Sequence, residues 1–308
     1  MKPQITANHL SRYYSPNSPS LFGLRSSPYS EPVKALDDVS FSIMEGEKIA
    51  LIGSNGAGKS TLIKLLCGIV SPSKGELHVL GRTPHKERHS HVQNLGVVFG
   101  QRTQLAWDIP PRETFRLLCA LHRIPENEYA QRLDHFTHIF EAESLIDTPT
   151  RKLSLGQRMR CDLIASLLHN PAIILLDEPS IGLDFQAKQK LHSLLSSYTK
   201  KSNATLIISS HDIEDIQICD RVLILNNGRL ILDEPIEDLQ SRYTKGIRFK
   251  AKPNFISPPA DIRSEGDFYF CQDWPSLLKL QQQYPEHHFE DAVEIEFRFR
   301  QILQQLST

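Results

Sequence analysis

Residues 48–61 read Lys48-Ile49-Ala50-Leu51-Ile52-Gly53-Ser54-Asn55-Gly56-Ala57-Gly58-Lys59-Ser60-Thr61, and this stretch decides the fold. The first five residues are a short apolar strand. The next eight, Gly53 to Ser60, fit G-x-x-x-x-G-K-[ST] with Thr61 directly after them, and the run Ser60–Cys67 reads as a helix. A glycine-rich turn between a strand and a helix is the context in which this pattern cradles phosphate. Glycine lets the backbone wrap closely around an anion, and successive N–H groups then point inward as donors. The helix adds its positive N-terminal end. Gly53, Ser54, Asn55, Gly56, Ala57, Gly58, Lys59, Ser60 and Thr61 are therefore candidate nucleotide-binding residues. Lys59 would pair with the β- and γ-phosphates, and the Ser60 hydroxyl would ligate Mg²⁺. With ordinary residue usage the four fixed positions match by chance in roughly one chain per hundred of this length.

Outward from this loop, further short apolar runs occur at Leu95–Phe99, Ala172–Leu176, Thr205–Ser209 and Val222–Leu225. Each is bounded by turn residues or a helical segment. Short apolar strands alternating with helices imply a mostly parallel sheet covered on both faces. Gln4–Tyr14 and the alternating Val39–Ile43 add two strands before the loop. Residues 15–32 are rich in Ser and Pro, show no period and read as a surface loop insertion. Strand signals vanish over 103–166, which reads as a helical insert. Past about residue 245 the pattern changes: GIRFKAK and GDFYF alternate like strands, Pro275–Tyr284 and Phe299–Leu306 read as helices, and Val293–Phe297 as a strand. The division expected is an ATP-binding domain at 1–245 and a small α+β accessory domain at 246–308.

A second chemical feature is Ile173-Ile174-Leu175-Leu176-Asp177-Glu178, an aliphatic run ending in two acids. A buried parallel strand delivers such acids to the sheet edge, where ligands of α/β proteins bind. Asp177 would hold Mg²⁺ through its water shell, and Glu178 would polarise an attacking water.

Composition bounds the partners. The 308 residues are 40% hydrophobic, enough to bury a real core, and 35 basic residues against 36 acidic ones leave a net charge of −1. No global electrostatic pull on DNA or RNA follows from that balance, and no nucleic-acid partner is expected. The N-terminus lacks the apolar stretch of a signal peptide, and no apolar run approaches the ~20 residues that span a bilayer. The five cysteines (Cys67, Cys119, Cys161, Cys219, Cys271) form no CxxC pair, so they read as reduced, mostly buried thiols.

Leu153-Ser154-Leu155-Gly156-Gln157, shortly before the acids, resembles the signature motif of ABC transporter ATPases. The resemblance runs from about residue 4 to 245. Pro179-Ser180-Ile181-Gly182-Leu183-Asp184 resembles the loop after that family's magnesium-binding strand; His211 resembles its switch histidine, Gln101 its Q-loop glutamine, and Tyr14 the aromatic that stacks on adenine. Tyr13 is the alternative to Tyr14, and Gln104 to Gln101. Leu155 departs from the pattern, because the commonest signature has glycine there.

This resemblance implies an α/β P-loop ATPase domain with a mostly parallel sheet core, an antiparallel β subdomain and a helical insert. It implies ATP and Mg²⁺ as cofactors, with Ser60, Gln101 and Asp177 around the metal, and catalysis by Glu178, His211 and Lys59. Ser154, Gly156 and Gln157 would contact a nucleotide on a second copy, making a homodimer that sandwiches ATP, with Asp184 signalling across it. The resemblance further implies a separate integral-membrane permease as partner, docked on the helical insert near Arg102–Trp107, and a peripheral location on the cytoplasmic face of the membrane. The strings GVVFGQRTQLAWDIP and LSLGQRMR are similar to ATPases of type-2 exporters. Import, polysaccharide export and non-transport work on ribosomes or DNA share the same chemistry. The non-transport classes usually carry two cassettes or a long insert before the signature, and this chain has one phosphate loop and a short insert.

Overall fold

The aliphatic runs become strands because each is buried on both faces at once. In the computed structural model, residues 3–14, 32–100, 102–181, 183, 185–210, 213–238, 247–250, 263–265 and 268–271 are described. In chain order come β1 (Ile5–Tyr14), β2 (Val33–Ile43), β3 (Lys48–Ile52), α1 (Lys59–Leu66), β4 (Lys74–Val79), α2 (Arg88–Val92) and β5 (Leu95–Phe99). Then follow α3 (Pro111–His122), α4 (Glu126–Ile139), α5 (Leu155–Leu167), β6 (Ile173–Asp177), α6 (Phe185–Ser202), β7 (Thr205–Ser209), α7 (Ile213–Gln217), β8 (Arg221–Asn226) and β9 (Arg229–Pro235).

The central sheet has the order β5-β6-β7-β3-β8-β9. All its pairs are parallel except β8–β9, which is antiparallel. Alternate residues of the strands enter two separate cores. Ile174, Leu176, Leu206 and Ile208 join one core with residues of α3, α4, α5 and α6. Ile173, Leu175, Ile207 and Leu51 join the other with α1 and the antiparallel sheet β2-β1-β4. Continuous apolar runs are the signature of a sheet covered on both sides.

The expected strands at 95–99 and 205–209 match β5 and β7, and the expected mostly parallel sheet is present. The chain also forms elements whose sequence signals are weaker. β2 begins at Val33, earlier than Val39. β4 lies in a stretch whose exposed face is polar, so its alternation is weak. β9 follows a two-residue turn, with φ of 46° at Asn227 and 78° at Gly228, the pair of left-handed residues that closes a tight hairpin.

The helical insert contains α3 and α4, as expected, while α5 joins it to the core. A Cβ built at Gly96 of β5 would lie 2.4 Å from the Ser166 carbonyl oxygen, so strand and helix touch at backbone distance. Three short strands, β10 (Ile247–Lys250), β11 (Arg263–Glu265) and β12 (Phe268–Cys271), pair antiparallel in the order β10-β12-β11. The expected helices at 275–284 and 299–306, the strand at 293–297 and nearly all of the 15–32 loop lie outside the described residues. Cys67, Cys119, Cys161 and Cys219 are buried free thiols, as expected. No helix among the described residues is long and apolar enough to cross a membrane.

Candidate functional site

Four neighbouring parallel strands end at one edge of the sheet. Phe99, Asp177 and Ser209 lie in one register row across β5, β6 and β7, and Leu51 of β3 pairs with Ser209. The loops leaving these strands begin at Gly53, Gly100, Glu178 and Ser210. The first three of these loops border a cleft of about 660 Å³ lined by Asn55, Lys59, Ser60, Thr61, Asp177 and Glu178, among others. That volume is within the usual range for a small-molecule site.

The phosphate loop is held by backbone packing. Gly58 sits at φ 111°, and a Cβ there would meet the Ala35 carbonyl oxygen at 2.6 Å and Leu36 Cδ2 at 2.7 Å. At Gly53 a Cβ would lie 2.4 Å from the Leu225 carbonyl oxygen. Gly58 caps α1 without a side-chain acceptor, so the first amides of the helix are left for a ligand. Lys59, only 8% exposed, donates from Nζ to the carbonyls of Gly53 (2.6 Å) and Ser54 (3.3 Å). Its charge is thereby pinned across the loop.

The Ser60 hydroxyl donates to Asp177 Oδ2 at 3.0 Å. The Ser209 hydroxyl donates to Asp177 Oδ1. Gly100 N–H donates to the Asp177 carbonyl at 2.7 Å, tying the end of β5 to the end of β6. Glu178 adopts φ 56°, a left-handed conformation uncommon outside glycine, and its N–H donates to the carbonyl of Ser209 at 2.9 Å. Backbone of this kind is held in place by its surroundings and gathers at functional sites.

A hydroxyl and a carboxylate oxygen side by side fit a hard divalent cation such as Mg²⁺, which takes few protein ligands and completes its shell with waters and substrate phosphates. No group of three or more His, Cys, Asp or Glu that would hold a metal by itself occurs among the described residues.

Ser154, Gly156 and Gln157 do not line this cleft. They start α5 in a capping box: Ser154 Oγ accepts from Gln157 N–H at 3.3 Å, and the Gln157 side-chain oxygen accepts from Ser154 N–H at 2.9 Å. Leu155 occupies the first helical position, 42% exposed. Tyr14, at the end of β1, also lies off the cleft, with the Arg12 guanidinium 4.7 Å over its ring. Tyr13 donates its hydroxyl to Asp37 at 3.2 Å. Gln104 is bound to α5 through Asp162 and does not line the cleft. Gln101, Asp184 and His211 lie outside the described residues.

Two titratable groups anchor α5. Asp162 accepts from Thr103 Oγ1 and Gln104 N–H, both at 3.0 Å, and burial outweighs those bonds to raise its carboxyl to about 6. His169 stacks on His122 with ring centroids 3.9 Å apart, and burial, reinforced by His122, lowers it to about 4. Trp107 is 50% exposed and carries the Arg158 guanidinium 4.9 Å from its ring centroid.

The residues missed from sequence are Gly100 and Ser209. A Cβ at Gly100 would lie 2.6 Å from the Glu178 carbonyl oxygen, so the glycine before Gln101 is itself part of the site. Its only sequence signal is a glycine directly after an apolar strand.

Comparison with known proteins agrees with this architecture. The family model described as ABC transporter matches residues 36–181. The ABC transporter ATP-binding protein NatA of Bacillus subtilis is 30% identical over 208 residues, which cover 67% of this chain and 84% of that protein. The probable multidrug ABC transporter ATP-binding protein YbhF of Escherichia coli is 29% identical over 68% of this chain. The match spans 36% of YbhF, so this chain corresponds to about a third of that relative. The solved structure of cbiO1 from Clostridium perfringens, part of the ABC transporter complex cbiONQ, superposes with a TM-score of 0.64 at 28% identity, covering 78% of this chain and 91% of that one. With a phosphate cradle and an acidic strand end at one sheet edge, and with a relative such as NatA matched over most of its length, the chain belongs to the family of ABC transporter ATP-binding subunits.

Proposed function

We propose that this chain binds and hydrolyses ATP at the cleft and thereby powers a separate membrane permease, in the direction of export. The observation that carries the reading is the convergence of Lys59, Ser60, Asp177 and Glu178 on one cleft at the ends of adjacent strands. The loop amides and the Lys59 ammonium neutralise the β- and γ-phosphates. Glu178 accepts a hydrogen bond from the attacking water and orients it, with His211 completing the arrangement at the γ-phosphate. Positioning and charge neutralisation are most of phosphoryl-transfer catalysis. Mg²⁺, held by Ser60, Asp177 and Gln101, would neutralise phosphate charge.

Because the α5 turn lies off the cleft, Ser154, Gly156 and Gln157 are assigned to the nucleotide of a second copy, which makes the working form a homodimer around two ATP molecules. Asp184 links the two sites, and Tyr14 stacks on adenine. Residues 1–245 form the ATP-binding unit and 246–308 an accessory unit. The exposed Trp107, together with the exposed Leu117 and Leu121 of α3, is the permease contact. An aromatic anchor of this kind is typical of interface centres. The location is accordingly peripheral, on the cytoplasmic face of the membrane. Export rests on the likeness to type-2 exporter ATPases and on YbhF; an import subunit would use the same cleft.

The test is purification of the tagged chain from gently solubilised membranes with Mg²⁺ and a non-hydrolysed nucleotide. A stoichiometric multi-helix permease is the expected companion, and its topology decides export against import. Recovery with ribosomes or DNA alone overturns the transport assignment. Glu178→Gln should abolish turnover while ATP still drives dimerisation; normal turnover in that variant means that another group orients the water.

A further inference from the structure

We infer that Asp215 is a positioning residue for ATP hydrolysis, its buried carboxylate locking the loop that carries Glu178 to the loop that leads into His211. The inference rests on the ATPase reading above and adds a residue that reading does not use.

Asp215 lies in α7 and is 1% exposed. Its carboxylate gathers three side chains from three different segments. Oδ2 accepts from Ser180 Oγ at 2.5 Å and from Ser210 Oγ at 2.6 Å, and Oδ1 faces His192 Nε2 at 2.6 Å. Ser180, Ser210 and His192 are themselves only 4%, 2% and 6% exposed. Ser180 follows Glu178 by two residues. Ser210 immediately precedes His211. His192 belongs to α6, which begins at Phe185, seven residues after Glu178.

A buried carboxylate is expensive unless its lone pairs are met, and an apolar side chain would fill the same space at lower cost. Here the lone pairs are met by groups that belong to no common element. One acidic side chain therefore fixes the distance between the loops leaving β6 and β7, strands whose ends already share the Asp177–Ser209 register pair. Glu178 stands on that junction in its left-handed conformation. A water aligned between Glu178 and a γ-phosphate tolerates little error, since a displacement of about 1 Å can cost roughly 100-fold in rate. Binding of the nucleotide itself relies on the phosphate loop across the cleft and does not pass through Asp215.

The experiment compares Asp215→Ala, Asp215→Asn and a control cavity variant in α6, Leu195→Ala, in the full chain. ATP turnover at saturating nucleotide, affinity for a fluorescent ATP analogue and Tm are measured for each. Asp215→Ala should lower kcat at least about tenfold and leave nucleotide affinity within about threefold. Asp215→Asn should recover part of the loss, because its amide oxygen still accepts from both serines. Leu195→Ala should lower Tm while keeping kcat per bound nucleotide within about twofold. A kcat for Asp215→Ala that matches Leu195→Ala at equal loss of Tm overturns the inference, as does joint loss of binding and turnover. If Asp215→Ala does not fold, Ser210→Ala decides in its place: a fall of about fivefold in kcat with unchanged affinity supports the inference, and a smaller fall overturns it. An unvaried chain without ATPase activity overturns the functional reading and this inference with it; an active one with an equally active Asp215→Ala overturns this inference alone.

Discussion

The phosphate loop and the turn into α5 each set up a helix N-terminus, and they are built by opposite means. At the phosphate loop the backbone itself is forced: Gly58 has no room for a Cβ against the Ala35 carbonyl, and its φ of 111° excludes ordinary side chains. At α5 the turn is made by side chains, with Ser154 and Gln157 satisfying each other's amides. There a Cβ at Gly156 would meet only the tip of Leu183, at 3.3 Å, which can rotate away. A backbone-built cradle admits almost no substitution, whereas a cap-built turn tolerates change at positions that do not cap. Leu155, which stands where the commonest signature has glycine, is one of those: it points out, 42% exposed, and takes no part in the capping box.

The sharpest way to break this contrast is a pair of glycine variants. Gly58→Ala adds strain of about 1–3 kcal/mol together with a backbone clash, enough for a loss of roughly 100-fold in nucleotide affinity. In the monomeric chain, where no second copy closes the site, Gly156→Ala should change affinity for the same cleft by less than about threefold. Titration with a fluorescent ATP analogue reads both, and equal losses would remove the distinction.

Acidity separates the two regions next, because the α5 end depends on titratable side chains. His169, lowered to about 4 in the fold, titrates near 6.5 when unfolded. The unfolded chain binds the extra proton between those values, so this ring's contribution is present above about pH 6.5 and is lost as pH falls toward 4. Its size is on the order of 3 kcal/mol. Asp162, raised to about 6, has the opposite sign: its contribution is present below about pH 4 and is lost as pH rises through 6. His169→Gln should therefore flatten the fall of Tm on acidification from pH 6.5 to 4, and Asp162→Asn should steepen it. Shifts in the same direction would show that these two groups do not govern the region.

The smallest effect tests the cap. Ser154→Ala should cost about 1 kcal/mol of stability, read as a lower Tm. Leu155→Gly should change stability by less than about 1 kcal/mol, in keeping with a side chain outside the cap. A larger loss at Leu155 than at Ser154 would reverse the assignment.

Much of the fold was legible because the responsible signals are local. The run 48–61 encodes strand, turn and helix in consecutive residues, and the strands at 95–99 and 205–209 are uninterrupted, mostly apolar runs. Other elements escaped for definite reasons. β4 has an exposed polar face, and the 33–38 part of β2 buries only Leu36, so both lack a strong apolar pattern. The hairpin into β9 has a local signal in Asn227-Gly228, but β9 itself alternates between exposed and half-buried residues and carries no continuous apolar run. Gly100 and Ser209 escaped because their role exists only once β5, β6 and β7 lie side by side.

The sequence by itself determined which chemistry this protein carries. The glycines, Lys59 and Ser60 are adjacent in the chain, and their geometry follows from φ preferences and helix polarity within a few residues. Tertiary structure alone decided how distant pieces are held to one another. It brought Ser60 to Asp177, separated the α5 turn from the cleft, and joined Ser180, His192 and Ser210 through Asp215. Hydrogen bonds between residues far apart in sequence leave no periodicity behind, because their partners are chosen by strand order and burial.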